Sequence, residues 1–142
     1  MPGTLKWSKS SPEAIMPSKA RVTDAGYDLH VVKHISTNGM LYSYDTCIQI
    51  EPPFGWFFMA IPRSSIYKSG YMLANSMGVI DRTYRGSILV NLIKIDPTAP
   101  DLELPARIMQ LVPMPSVHFE TVERESLTIT ERGIRGVGSS GK

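Results

Sequence analysis

Cysteine is almost absent from this sequence. Cys47 is the one cysteine in 142 residues, which excludes an internal disulfide and indicates a reducing compartment. The longest apolar run, residues 56–61, is far too short to span a bilayer, and the first residues lack the apolar core of a signal peptide. We therefore expect an intracellular, soluble protein, cytoplasmic or nuclear, without a membrane segment.

An excess of charge of one sign is missing as well. Lysine and arginine number 15, aspartate and glutamate 13, and the net charge is +2. The sequence has no block of basic residues, the feature that binds phosphate backbones without sequence preference. We therefore expect no nucleic-acid partner.

Helix patterns are missing too, both apolar stripes at helical spacing and the alternation of strands and helices that is typical of doubly wound nucleotide folds. Short runs of β-forming residues instead alternate with glycine and proline turns. We expect one all-β domain over residues 1–142, a barrel or sandwich with one helical turn near residues 66–70. Its β core would cover 1–125, with a last strand at 117–122, and the Gly/Ser-rich residues 126–142 would form a mobile tail.

The central segment, residues 73–86, is predicted to form a hairpin. Its tip would offer bare backbone groups, the carboxylate of Asp81 and the ring of Tyr84 to a pocket. Gly78 and Gly86 flank the tip, where each can take positive φ and permits a close backbone approach. A turn in which Asp81 binds only its own backbone is the structural alternative.

Arg63 and the two serines after it, Ser64 and Ser65, follow an apolar run directly. A fixed cation with hydroxyl and N–H groups at a strand end can hold a phosphate. A serine-capped helical turn with a surface arginine is the alternative.

Gln110 lies in a predicted strand over residues 106–113. Alternation would place Gln110 on one face and Arg107 with Met109 on the other. A buried glutamine needs hydrogen-bonding partners, and the sequence leaves open whether those are structural groups or a ligand.

The end of the chain, residues 132–142, is rich in glycine, arginine and serine. Residues 136–142 match the start of a P-loop, but no Ser/Thr or helix follows the lysine, which excludes that motif. The two remaining interpretations are a flap that orders over a phosphate chain and a disordered terminus.

Five segments, in this order and at these spacings, resemble the homotrimeric dUTPases: residues 25–29, 62–65, 75–86, 107–111 and 132–141. The resemblance implies a β jelly roll that assembles as a homotrimer with active sites shared between subunits. It also implies hydrolysis of dUTP to dUMP and pyrophosphate with Mg²⁺, which limits uracil in DNA and supplies dUMP.

The same resemblance implies roles for individual residues. Asp81 would activate the attacking water, assisted by Gln110 and Arg63, and Asp28 would contact magnesium through a water. The ring of Tyr84 would lie under the deoxyribose and leave no space for a 2′-hydroxyl. The implied substrate-binding residues are Arg63, Ser64, Ser65, Asn75, Gly78, Val79, Ile80, Asp81, Tyr84, Leu89, Gln110, Arg132, Gly136, Val137, Gly138, Ser139 and Ser140.

One position departs from the family pattern, which usually has an aromatic residue where this chain has Val137. That ring covers the uracil, so we expect weaker substrate binding or a less firmly closed tail here. Two alternatives stay open. A dCTP deaminase shares the fold, but its catalytic glutamate would fall at or near Asn91, a neutral amide. A catalytically weak, dUTPase-like binding or regulatory protein is favoured only by Val137.

Overall fold

The computed structural model describes residues 3–141, and their regular structure is almost entirely β-strand. A 3₁₀ helix covers Ser64–Lys68, close to the helical turn predicted at 66–70. Between residues 3 and 141 no helix is long and apolar enough to cross a membrane. The strands are β1 (Lys6–Lys9), β2 (Tyr27–Val31), β3 (Lys33–Asn38), β4 (Leu41–Asp45), β5 (Ile48–Glu51), β6 (Trp56–Pro62), β7 (Tyr71–Leu73), β8 (Gly78–Ile80), β9 (Leu89–Lys94) and β10 (Ala106–Pro115).

Two four-stranded antiparallel sheets enclose the core. Their strand orders are β2-β10-β6-β8 and β3-β4-β9-β7, and β1 pairs with β5 in a smaller sheet. Alternate residues point inward, as in β9, where Val90 and Leu92 are buried while Leu89 and Asn91 are exposed. The all-β jelly-roll prediction is therefore confirmed.

The prediction of a hairpin over residues 73–86 is wrong. β7 pairs with β9 in one sheet, whereas β8 pairs with β6 in the other, because Leu73 and Ile80 enter the same core from opposite sides. Residues 74–77 therefore connect the two sheets. In this connection Ser76 takes the positive φ, 59°, and neither Gly78 nor Gly86 does.

The strand predicted at residues 117–122 is also wrong. Within the described part of the chain, no strand follows β10. Val117 and Phe119 are 66% and 83% exposed, and this stretch pairs with no strand edge among residues 3–141. Residues 123–141 are exposed as well. The mobility of the tail stays a prediction.

Candidate functional site

Asp28 stands at the centre of a charged cluster on the outer face of the sheet β2-β10-β6. The Nε of Arg63 donates to Asp28 Oδ1 at 2.9 Å, and Arg107 Nη1 lies 3.7 Å from Oδ2. Arg63 Nη1 also donates to the carbonyl oxygen of Arg107 at 3.0 Å. Because the Asp28 and Arg63 side chains are only 19% and 28% exposed, water screens this pair less than a surface pair. The contacts with Asp28 and with the Arg107 carbonyl oxygen together fix the orientation of the Arg63 guanidinium.

A β-bulge in β10 brings Arg107 into this cluster. Ala106 pairs with Val31 and Met109 with Leu29, so β10 has one residue more than β2 over this stretch. Simple alternation, which placed Arg107 on the face of Met109, is therefore wrong: Met109 is buried while Arg107 reaches Asp28. Arg107 is a candidate site residue that the sequence reasoning missed, since nothing in the sequence marks the bulge.

Gln110 lies between Asp28 on β2 and Ile61 on β6 in the strand register. Its Nε2 donates to the carbonyl oxygen of Pro62 at 3.2 Å. A Cβ atom at Gly26 would lie only 2.2 Å from Gln110 Oε1 and 3.0 Å from its Cδ. Because Gly26 has no side chain, the Gln110 amide can occupy the space beside it.

Replacing Gly26 with alanine is expected to displace the Gln110 amide. Because the atom met first, Gln110 Oε1, is the far end of a flexible side chain, we expect little loss of stability, but about tenfold lower turnover because the amide leaves its position. Steady-state kinetics and a thermal melt measure the two effects. The control is Gln110→Ala with and without Gly26→Ala, since two changes that act through one side chain are not additive. A double variant much less active than Gln110→Ala alone would contradict this explanation.

His30 shares the outer face of β2 with Asp28, two residues away. Burial and then the nearby Arg107 guanidinium lower the pKa of His30, so its ring is neutral near pH 7. Its Nδ1 is buried without a hydrogen-bond partner among the described residues. Two arginines, one carboxylate and a neutral ring leave the cluster positive, which suits a phosphate.

Ser64 and Ser65 begin the 3₁₀ helix beside Arg63 and are exposed. The residue that precedes this helix is Arg63, and no side chain caps the helix. The serine-capped turn is therefore wrong, and both serines are exposed directly after Arg63 in the chain.

Asp81 and Tyr84 lie on an exposed turn directly after β8. The backbone N–H of Tyr84 donates to the backbone oxygen of Asp81 at 3.1 Å, while the Asp81 side chain is exposed. The Tyr84 hydroxyl donates to the carbonyl oxygen of Ser87 at 2.9 Å. A Cβ atom at Gly86 would lie 2.3 Å from that hydroxyl. The role of Gly86 is thus close approach of a ring rather than positive φ.

The other residues predicted to read the base lie on β8 or just before it, except Leu89, which begins β9 in the other sheet. Asn75 Nδ2 donates to the carbonyl oxygen of Met77 at 3.2 Å. Gly78 packs against Ala60: a Cβ atom added at Gly78 would lie 3.3 Å from the Ala60 Cβ. Val79 and Leu89 are 60% and 52% exposed. Ile80 is buried in the core, so only its backbone is available to a ligand.

The two groups of predicted residues lie at opposite ends of β6. Ile80 pairs with Phe58, and Asp81 continues away from Arg63, which follows the other end of that strand. At about 3.4 Å per residue, Asp81 and Arg63 are about 20 Å apart. One chain therefore brings Asp28, Arg63 and Gln110 together, and Asp81 with Tyr84, but it does not bring the two groups together.

The predicted tail residues contact one another rather than either group in the hydrogen bonds that the structure gives. Arg132 and Arg135 each donate from Nε to the carbonyl oxygen of the other at 3.0 Å. Val137 is fully exposed. The remaining predicted tail residues are exposed too: Gly136, Gly138, Ser139 and Ser140.

Comparison with known proteins bears on the whole chain. A family model described as dUTPase matches residues 12–141. The deoxyuridine 5′-triphosphate nucleotidohydrolase of Nautilia profundicola is 37% identical over 140 residues, which cover 97% of this chain and 99% of the relative. That of Escherichia phage T5 is 45% identical over 100 residues, covering 68% of this chain and 66% of the relative.

Solved structures show the same fold. The dUTPase of Staphylococcus bacteriophage 80alpha with dUPNHPP has a TM-score of 0.82 at 23% identity, covering 99% of this chain and 100% of that chain. A mutant dUTPase from phage phi11 of S. aureus, with a structural Mg(II) ion, has a TM-score of 0.73 at 20% identity, covering 87% and 98%. From the family match and the relatives that are aligned over nearly the whole sequence, we conclude that the chain belongs to the dUTPase family.

Proposed function

We propose that this protein is a dUTP diphosphatase, which hydrolyses dUTP to dUMP and pyrophosphate. The observation that carries the proposal is the family match over residues 12–141, which contains the segments with Asp81, Arg63 and Gln110. The relatives that match are named for the same reaction. The geometry supports it, since a positive cluster and an exposed carboxylate are the groups that phosphoryl transfer requires.

The separation within one chain supports a homotrimer with shared sites. A base must lie within about 3 Å of the water that it activates, directly or through one further water, whereas Asp81 is about 20 Å from Arg63 in the strand geometry of one chain. A site that contains both therefore takes them from neighbouring copies. The exposed Val117 and Phe119 are apolar side chains that a neighbouring copy would cover.

In this proposal Asp81 accepts a proton from a water that attacks the α-phosphorus. The bond from the water oxygen to phosphorus forms, the bond to the pyrophosphate oxygen breaks, and pyrophosphate leaves with the electron pair. Arg63 holds phosphate charge, with Ser64 and Ser65 as hydroxyl donors, while Gln110 orients the water or a phosphate oxygen. Most of the rate enhancement in such reactions comes from positioning and electrostatics.

The β8 region would read the nucleoside. Asn75 and the backbone at Gly78 and Ile80 offer hydrogen bonds to uracil, and contact with this backbone would exclude a 5-methyl group. The Tyr84 ring, held by its bond to Ser87, would pack under the deoxyribose where a 2′-hydroxyl has no space. Arg132, Ser139 and Ser140 of the tail would bind the γ-phosphate.

Magnesium fits these residues only as an ion brought by the triphosphate. Among residues 3–141 no group of three or more His, Cys, Asp or Glu side chains could hold a metal. Each Asp28 oxygen faces an arginine, so Asp28 suits contact through a water rather than direct ligation. Mg²⁺ commonly keeps its waters and binds substrate phosphates; when bound, it neutralises phosphate charge.

Pyrophosphate release from dUTP by the purified protein with Mg²⁺ tests the proposed function. We expect release from dUTP and much less from UTP, dTTP and dCTP. Ammonia is measured in parallel, because a deaminase of this fold would release it from dCTP. Absence of pyrophosphate release from dUTP would contradict the proposal.

Val137→Phe is expected to lower the KM for dUTP. A ring at this position can stack on the base, and base–aromatic stacking is worth about 1–3 kcal/mol. Ile134→Phe is the matched control, since Ile134 is an equally exposed aliphatic residue of the same tail, and it should leave KM unchanged. An unchanged KM in Val137→Phe would show that the tail covers the base by other means.

A further inference from the structure

Arg85 folds back on the turn that carries Asp81 and Tyr84. Its Nη1 donates to the carbonyl oxygen of Arg82 at 2.6 Å and to that of Tyr84 at 3.1 Å. These two oxygens lie on either side of Thr83, so one guanidinium group spans the turn. Planar guanidinium geometry suits such multiple contacts better than an ammonium group does.

Two side chains of β5 hold Arg85 from outside the turn. Glu51 Oε1 accepts from Arg85 Nη2 at 3.2 Å, and Gln49 Nε2 donates to the Arg85 carbonyl oxygen at 2.7 Å. Ile48 and Ile50 alternate with them and are buried, so the core anchors β5 while Gln49 and Glu51 point toward the turn. The turn is thus tied to a strand 34 to 36 residues away in sequence.

Glu51 and Gln49 are themselves held from the opposite side. Lys6 Nζ lies 3.1 Å from Glu51 Oε2, and the Ser8 hydroxyl donates to Gln49 Oε1 at 3.2 Å. The hydrogen bond from Lys6, with the charges of Lys6 and Arg85, lowers the pKa of Glu51, which keeps it ionised. Gln49 and Glu51 therefore each have one contact with Arg85 and one contact with β1.

We propose that Gln49 and Glu51 are positioning residues for Asp81 and Tyr84, acting through Arg85. The inference rests on the proposed function. Asp81 sits on an exposed turn, so its alignment with the attacking water depends on contacts that hold the turn. A small displacement of a catalytic group lowers the rate steeply. Loss of the same contacts would also let the Tyr84 backbone move, and with it the ring that leaves no space for a 2′-hydroxyl.

The test compares a double variant that removes both β5 side chains with one that removes only their contacts from β1. Gln49→Ala/Glu51→Ala removes the contacts with Arg85. Lys6→Ala/Ser8→Ala removes only the contacts from β1 and is the control. The measurements are kcat and KM for dUTP and UTP, the melting temperature, and hydrogen exchange of the backbone amides at residues 81–86.

We expect the Gln49/Glu51 double variant to lose about tenfold in kcat and about tenfold in its preference for dUTP over UTP. Exchange at residues 81–86 should rise in the same variant. The control should stay within about twofold of the wild type in these quantities. Arg85→Lys, which keeps the charge but loses the planar fork, should resemble the Gln49/Glu51 double variant.

Unchanged kcat, dUTP preference and exchange in the Gln49/Glu51 double variant would overturn the positioning role. Equal losses in the control, or wild-type behaviour in Arg85→Lys, would overturn it as well. A wild-type protein that leaves dUTP uncleaved contradicts the proposed function instead. In that event exchange at residues 81–86 still decides whether β5 holds the turn, because that measurement needs no turnover.

Discussion

Asp81→Asn is expected to lower kcat for dUTP by about 10²–10⁴-fold, the range in which a general base contributes. Asparagine has nearly the same size as aspartate but does not accept a proton from water. The hydrogen bond that closes the turn uses the backbone oxygen of Asp81, so the substitution should leave the fold intact. Nucleotide affinity should change little, because the substituted group acts on the water rather than on the phosphates.

Pyrophosphate release measures the loss, and calorimetric titration with a non-hydrolysable dUTP analogue measures binding. Asp101→Asn is the control: its side chain is 78% exposed and its partner is Lys94, so turnover should stay near the wild-type value. Full turnover in Asp81→Asn would remove Asp81 from the role of base. Loss of analogue binding would instead assign Asp81 to substrate binding.

Local patterns of the sequence were enough to predict the fold class. Alternation in β9 and the apolar run of β6 reflect strands with one face on a core, and this depends only on neighbours two residues apart. The helical turn was predicted within two residues of Ser64–Lys68. Asp81 and Tyr84 could be placed together for the same reason, since both lie on one short turn after a strand; their roles stay a prediction.

Features that depend on distant residues were predicted wrongly or missed. The bulge between Ala106 and Met109 exists only relative to β2, so alternation within β10 gave the wrong face for Arg107. The hairpin over residues 73–86 failed because each of its strands pairs with a different sheet. Gln49 and Glu51 were missed because their contacts with Arg85 cross more than 30 residues.

The strand prediction at 117–122 was wrong for a third reason. Its β-forming residues do suit a strand, but a strand needs a neighbour to accept its backbone hydrogen bonds. The described part of this chain offers it none. The homotrimer that we propose is one in which a neighbouring copy would provide the missing edge.

Mixing two nearly inactive variants, Arg63→Ala and Asp81→Asn, is expected to restore activity. If each site takes Asp81 from one copy and Arg63 from another, some sites of a mixed trimer contain neither substitution. In a trimer that contains both variants, one of the three sites takes Asp81 from an Arg63→Ala copy and Arg63 from an Asp81→Asn copy. Activity should therefore return to about a third of the wild-type value.

The two chains are co-expressed with different tags and purified through both tags in succession, so that each trimer contains both variants. The matched control is a mixture of Arg63→Ala and Gln110→Ala. Arg63 and Gln110 belong to one cluster on one chain, so each site takes both residues from the same copy. Every site in that mixture therefore lacks either Arg63 or Gln110 and stays inactive. Restored activity in both mixtures, or in neither, would contradict sites shared between copies. Restoration in the first mixture alone would show that the span of β6 separates two halves of different active sites.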